Sequence, residues 1–134
     1  MENKIELKAS SVVLRGDGII HIHIKEGTLI ELNDAVQVTE AMKKLGGGKK
    51  YPVLIDCDEF AAVDKEARAF FASKEANIYS SVNAVAYHSF AHKLVADFYV
   101  HHNRPEIPTK TFQDMDMAIT WLKVFGEKKR KKKE

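Results

Sequence analysis

Two histidines, His21 and His23, stand one residue apart in the run Ile20 to Ile24. On a strand that spacing puts both imidazoles on one face about 7 Å apart, a separation that metal sites use. Such a site needs a third donor, and His88, His92, His101 and His102 fall on later elements at no recognisable zinc spacing. The pair therefore reads as an open strand face, with no metal expected. A second group is acidic. Asp56, Asp58 and Glu59 surround Cys57 where an apolar run ends, and Asp64 and Glu66 follow. Open α/β sheets bind ligands at such strand ends. These acids could form a general acid/base pair, although carboxylates at a loop and a helix start more commonly serve as caps and solvated turns. They also argue against a reactive thiol, because nearby negative charge raises its pKa and depletes the thiolate. Gly46-Gly47-Gly48-Lys49-Lys50 has the composition of a phosphate loop in the wrong context, since it ends a helix and precedes a strand. No catalytic residue, cofactor or metal is assigned from these patterns.

The elements that position these groups follow from periodicity. Val12-Val13-Leu14 leads through Arg15-Gly16-Asp17-Gly18 into Ile19 to Lys25, a hairpin whose second strand buries Ile20, Ile22 and Ile24. Ala35, Val38, Met42 and Leu45 then mark a helix with Asn33 as its cap and the three glycines as its stop. Tyr51 to Asp56 reads as a buried strand, with Val53 and Ile55 inward. Asp64 caps a second helix carrying Ala67, Phe70, Phe71 and Ile78. Val82 to Tyr87 is another strand. Ser89 opens a third helix whose buried side is expected to hold Ala91, Leu94, Val95, Phe98 and Tyr99, and Pro105 and Pro108 must break it. Lys110 to Gln113 makes an edge strand, and Asp114 caps a last helix with Met115, Ala118, Ile119, Leu122 and Phe125 as a narrow apolar stripe. The order β-β-α-β-α-β-α-β-α predicts an α/β fold: a mixed, mostly parallel sheet with an N-terminal antiparallel hairpin and packed helices.

Composition narrows the class. The chain has 134 residues, 45% of them hydrophobic, and one cysteine, which describes a single domain that needs no disulfide. The formal charge of +2 misleads. Six of the 21 basic residues fall in 127–134 with two of the 19 acidic ones, so residues 1–126 carry 15 basic against 17 acidic groups, a charge of −2. A nucleic-acid surface on the folded body would need positive charge spread over it. We expect one domain over 1–126 and a basic, disordered tail over 127–134, with tail-mediated binding to anionic lipid or nucleic acid as a minor alternative. No leader or transmembrane segment is read, and a cytoplasmic protein is expected.

The element order, with the run from Val53 to Phe71 and the closing segment Lys110 to Lys123, resembles the SpoIIAA-like branch of the STAS superfamily. The matching features are the apolar strand ending in Asp56, Asp64 opening a helix eight residues later, and Phe112 followed by Ala118, Trp121 and Leu122. The segment Asn103-Arg104-Pro105 is similar to one in bacterial STAS/SEC14-like proteins of unknown function. The resemblance implies a SpoIIAA-like fold and a non-enzymatic regulatory or ligand-binding module acting through a protein partner or a small apolar, lipid-like ligand. A homodimer is compatible with it. Asp56, Asp58, Asp64 and Glu66 would be its regulatory edge, and Leu94, Val95 and Phe98 would line an apolar pocket beneath the third helix. The rival reading is an enzyme using the same acidic edge.

In phosphorylated members of that branch the second helix begins Asp-Ser-Ser-Gly, and a kinase modifies the second serine. The matching residues here are Asp64-Lys65-Glu66-Ala67. Glu66 cannot accept phosphate from a serine kinase and at most supplies a fixed charge at a helix N-terminus. Phosphopeptide mapping from the native host is expected to find no phosphate at residues 64–67. Stoichiometric phosphate on Ser73 would show instead that the modification has moved along the helix.

Overall fold

A computed structural model describes the backbone of residues 3–133 and the side chains of residues 3–126. Six strands form one sheet in the order β1 (Lys4–Glu6), β2 (Ser10–Leu14), β3 (Ile20–Ile24), β5 (Tyr51–Cys57), β7 (Ser80–Ala86) and β8 (Thr109–Phe112). The β1/β2 and β2/β3 pairs are antiparallel, and β3/β5, β5/β7 and β7/β8 are parallel. The expected hairpin is thus present, with Gly18 at φ 80° in its turn, a conformation that favours glycine. Three short strands were not anticipated. Strand β1 extends the antiparallel edge, and two-residue strands β4 (Leu29–Ile30) and β6 (Ala62–Val63) form a small parallel pair of their own. Segments of two or three residues are too short to show a period.

The sheet divides the core in two. Its register aligns Val12, Ile22, Ile55 and Val85 across four strands. On that face Val12, Ile20, Ile22 and Val53 pack against Val38, Ala41 and Met42 of α1 (Leu32–Gly46). On the other face Ile19, Leu54, Val82, Ala84 and Phe112 pack against Ala118 and Leu122 of α4 (Met115–Lys133). Helix α2 (Lys65–Ala72) lies against α1, and α3 (Phe90–Phe98) continues into a π-helical turn, Tyr99–Asn103, that meets α2. Over 127–133, expected to belong to a disordered basic tail, the backbone continues α4, and the side chains there lie outside those described.

Several local expectations change. The N-cap of α1 is Glu31 rather than Asn33, because the Asp34 carboxylate accepts the Glu31 backbone N–H at 2.9 Å and fixes the helix start two residues earlier. Gly47 ends that helix at φ 62°. Helix α2 starts as read, with Asp64 accepting from the Ala67 N–H at 2.9 Å. It stops at Ala72, so Ile78 lies beyond it and is 53% exposed. The Ser73 hydroxyl and the Asn77 amide donate to the Phe70 and Phe71 carbonyls, side-chain bonds that compete with another helical turn. Ile55, expected to be buried, is only half-buried.

The largest difference concerns α3. Of the five residues expected on its buried side only Tyr99, at the start of the π-helical turn, is buried; Ala91, Leu94, Val95 and Phe98 are exposed, and His92 and Ala96 face inward instead. The helix is apolar around much of its circumference, so periodicity could not select the face.

Gly126 packs where α4 crosses β5, and a Cβ there would stand 2.7 Å from Pro52 Cγ. A helical Gly→Ala change ordinarily stabilises by about 1 kcal/mol. Here Gly126→Ala is expected to lower the thermal midpoint instead, because the pyrrolidine ring has little freedom to withdraw. Differential scanning calorimetry measures this, and a raised midpoint would contradict the packing.

Candidate functional site

The parallel register of β3 with β5 sets His23 opposite Asp56 and His21 opposite Leu54. Strand alternation then sends His21, His23 and Asp56 to the face that α4 covers over β5 and β7. Asp56 is only 4% exposed, and it is hydrogen-bonded by both imidazoles. His21 Nε2 lies 2.5 Å from Oδ1, and His23 Nδ1 lies 3.1 Å from each carboxylate oxygen. His23 Nε2 meets Asp58 Oδ2 at 2.9 Å, and His88 Nε2 is 3.7 Å from Asp56 Oδ2. Burial by itself would raise the Asp56 pKa, but the hydrogen bonds from His21 and His23 outweigh it and hold the carboxyl below its ordinary value. Burial likewise disfavours a charged His23, and bonds to Asp56 and then Asp58 raise its pKa nonetheless.

The premise that the histidine pair lacks a third donor is therefore overturned. Asp56 supplies it, and the three ligand atoms lie within 4.8 Å of one another. The sequence held one clue, a carboxylate closing a buried strand, which must find partners. Which partners depended on the register.

The second feature is a cavity of about 650 Å³ on the opposite face, between α3, α2 and strands β5 and β7. Ile55, Val85, Phe71 and Val95 contribute apolar walls, and Phe60, 81% exposed and at φ 61°, stands at the mouth. An apolar space beneath the third helix was expected, and Val95 lines it. Leu94 and Phe98 do not, because α3 turns them outward. His92, which was not expected to face inward, and Tyr99, expected on the buried side but not as part of the pocket, line it instead. Tyr99 Oη and His92 Nδ1 are buried without a hydrogen-bond partner among the described residues. His92 Nε2 lies 3.0 Å from the Ala61 carbonyl, to which it donates in the tautomer that leaves Nδ1 an acceptor.

A family described as a domain of unknown function (DUF7793) matches residues 12–126. The chain belongs to this family. No curated protein matches the sequence. Among solved structures, the DUF7793 domain is similar to an uncharacterised DUF3478-family protein with a SpoIIAA-like fold from Shewanella loihica PV-4. The two are 17% identical with a TM-score of 0.56, and the match covers 88% of this chain and 97% of that one. A protein of unknown function from Arthrobacter sp. FB24 is 26% identical over 90% of this chain and 97% of its own, at a TM-score of 0.34. The SpoIIAA-like fold expected from the resemblance is borne out. No helix among the described residues of the DUF7793 domain is long and apolar enough to cross a membrane.

The four acids grouped as one edge are separated in this fold. Asp56 and Asp58 bond the histidines, whereas Asp64 caps α2 and Glu66 is exposed in that helix's first turn, beside α1 across the sheet. Cys57 follows Asp56 and so faces the cavity. Burial first, then the charges of Asp56 and Asp58, pushes its thiol up to about 12. Iodoacetamide at pH 8 is accordingly expected to modify Cys57 of the folded DUF7793 domain at least a hundred-fold more slowly than an unperturbed thiol of pKa about 8.5. Mass-spectrometric rates, with urea-unfolded protein as the fast reference, measure the ratio.

Proposed function

We propose that this domain is a non-enzymatic binding module whose ligand is a small apolar molecule bearing one polar end. The observation that carries the reading is the cavity beneath α3, apolar on most of its wall and lined by two residues whose buried polar atoms have no protein partner. A buried unpaired polar group costs roughly 1–3 kcal/mol, and a ligand head that bonds it recovers that cost. Burial pushes the Tyr99 phenol up, so it remains a neutral hydroxyl able to donate or accept. His92 Nδ1 accepts. Arg68, also on the wall, uses one donor on the Val63 carbonyl at 2.6 Å and retains others suited to a carboxylate.

A second reading, a protein partner, draws support from the outer side of α3. Phe90, Leu94 and Phe98 follow one another at four-residue spacing and are 74%, 55% and 47% exposed. Such a stripe is the kind of helix face that partners cover. The two readings are compatible, since a ligand under the helix would set the position of the stripe above it.

Displacement of cis-parinaric acid by decanoic acid, decanol and decane tests the ligand reading. The acid and alcohol are expected to bind more tightly than the alkane. Tyr99→Phe should weaken decanol binding about three- to ten-fold, the worth of one hydrogen bond, and Val95→Trp should abolish binding by filling the space without unfolding the domain. Absence of binding by all probes to the unaltered protein would leave the partner reading in its place.

A further inference from the structure

We propose that His21, His23 and Asp56 bind a divalent first-row transition-metal ion on the face of the sheet opposite the cavity. Two imidazoles and one carboxylate are a donor set that such ions accept with positions left open for water. All three donors stand on paired central strands rather than on loops, so the backbone fixes their spacing. An ion with bonds of about 2.0–2.1 Å holds its ligand atoms roughly 3.3 Å apart. The imidazole–carboxylate separations here are 2.5 Å and 3.1 Å and all three ligand atoms lie within 4.8 Å of one another, so an ion displacing the bridging protons requires the His21 ring to withdraw from the carboxylate.

A second, independent feature is the outer partner. Asp58 Oδ2 lies 2.9 Å from His23 Nε2. A carboxylate in that position accepts the Nε2–H, and in a neutral ring this leaves Nδ1 carrying the lone pair. Nδ1 is the nitrogen that faces Asp56. Carboxylate, imidazole and ion in sequence are the arrangement by which metal-ligating histidines are usually oriented. His88 Nε2 stands beside the cluster, 3.7 Å from Asp56 Oδ2, but is not one of the three donors whose atoms all lie within 4.8 Å of one another. The site also leaves an approach, since the His21 and His23 side chains are 21% and 29% exposed. It shares no residue with the cavity lining, so failure of either reading leaves the other standing.

The test is titration of the tag-free full chain with Co²⁺, followed by calorimetry and visible absorption, then displacement by Zn²⁺. One equivalent of Co²⁺ with a visible band is expected, together with perturbation of the His21 and His23 ring resonances by Zn²⁺. His23→Gln should reduce affinity at least ten-fold, and Asp58→Asn should reduce it ten- to a hundred-fold although Asp58 does not touch the ion. The His101→Gln/His102→Gln double variant should bind as the unaltered protein does. Should Asp56→Asn fail to fold, the His23 and Asp58 variants and the ring resonances still decide the matter. The proposal is overturned by no saturable Co²⁺ or Zn²⁺ binding below millimolar concentration, or by binding that only the His101/His102 variant loses.

Discussion

The parallel pairing of β3 with β5 is the interaction on which the rest depends. It joins the antiparallel edge to the parallel half of the sheet, and its register aligns Ile22 with Ile55 on one face and His23 with Asp56 on the other. Apolar alignment on the first face gives α1 a continuous surface to cover, and the burial of Val12, Ile20, Ile22 and Val53 is enforced together. A slip of one residue would bring isoleucine and histidine positions to the wrong sides all along the strand. The buried Asp56 carboxylate reinforces the same register, because only this alignment gives it two imidazole partners.

The cavity has a different origin. Three crossover helices lie on the α1 face, but α3 presents Ala96 and His92 inward where larger apolar residues would have filled the space. Close-packed interiors tolerate few voids larger than a water molecule. A space of about 650 Å³ open to solvent beneath a helix that turns Leu94 and Phe98 outward is therefore a cleft of ligand size rather than a gap within the core. The stacking of Phe98 on His102, with ring centroids 4.5 Å apart, and Arg68 over Phe98 at 5.8 Å help to hold that outward orientation.

Legibility in the sequence followed the strength of the period. The alternation Ile20-His21-Ile22-His23-Ile24 and the stripe Ala118, Ile119, Leu122 each allow one orientation, and the structure has it. Glycine-bounded turns and Asp64 as a cap were equally direct, since their chemistry is local. The face of α3 was not legible, because a helix apolar on most sides satisfies several orientations. Nor was the His21, His23 and Asp56 cluster, in which Asp56 stands more than thirty residues from the two histidines and meets them through strand pairing. Local sequence carries alternation but no register between distant strands, and a site assembled by register alone leaves no contiguous signature.

Strand β5 is a partition with different chemistry on its two sides. Asp56 points to the histidines, while its neighbours Ile55 and Cys57 line the cavity. Inheritance of this segment is thereby constrained in a way that point changes are not. Conservative replacements can accumulate on either side, but deletion or duplication of one codon between Tyr51 and Asp56 would reverse parity downstream, delivering a carboxylate into the apolar space and a thiol to the imidazoles. Divergent relatives that retain both surfaces should therefore vary in length at the loops flanking β5 and keep its reading frame of alternation intact.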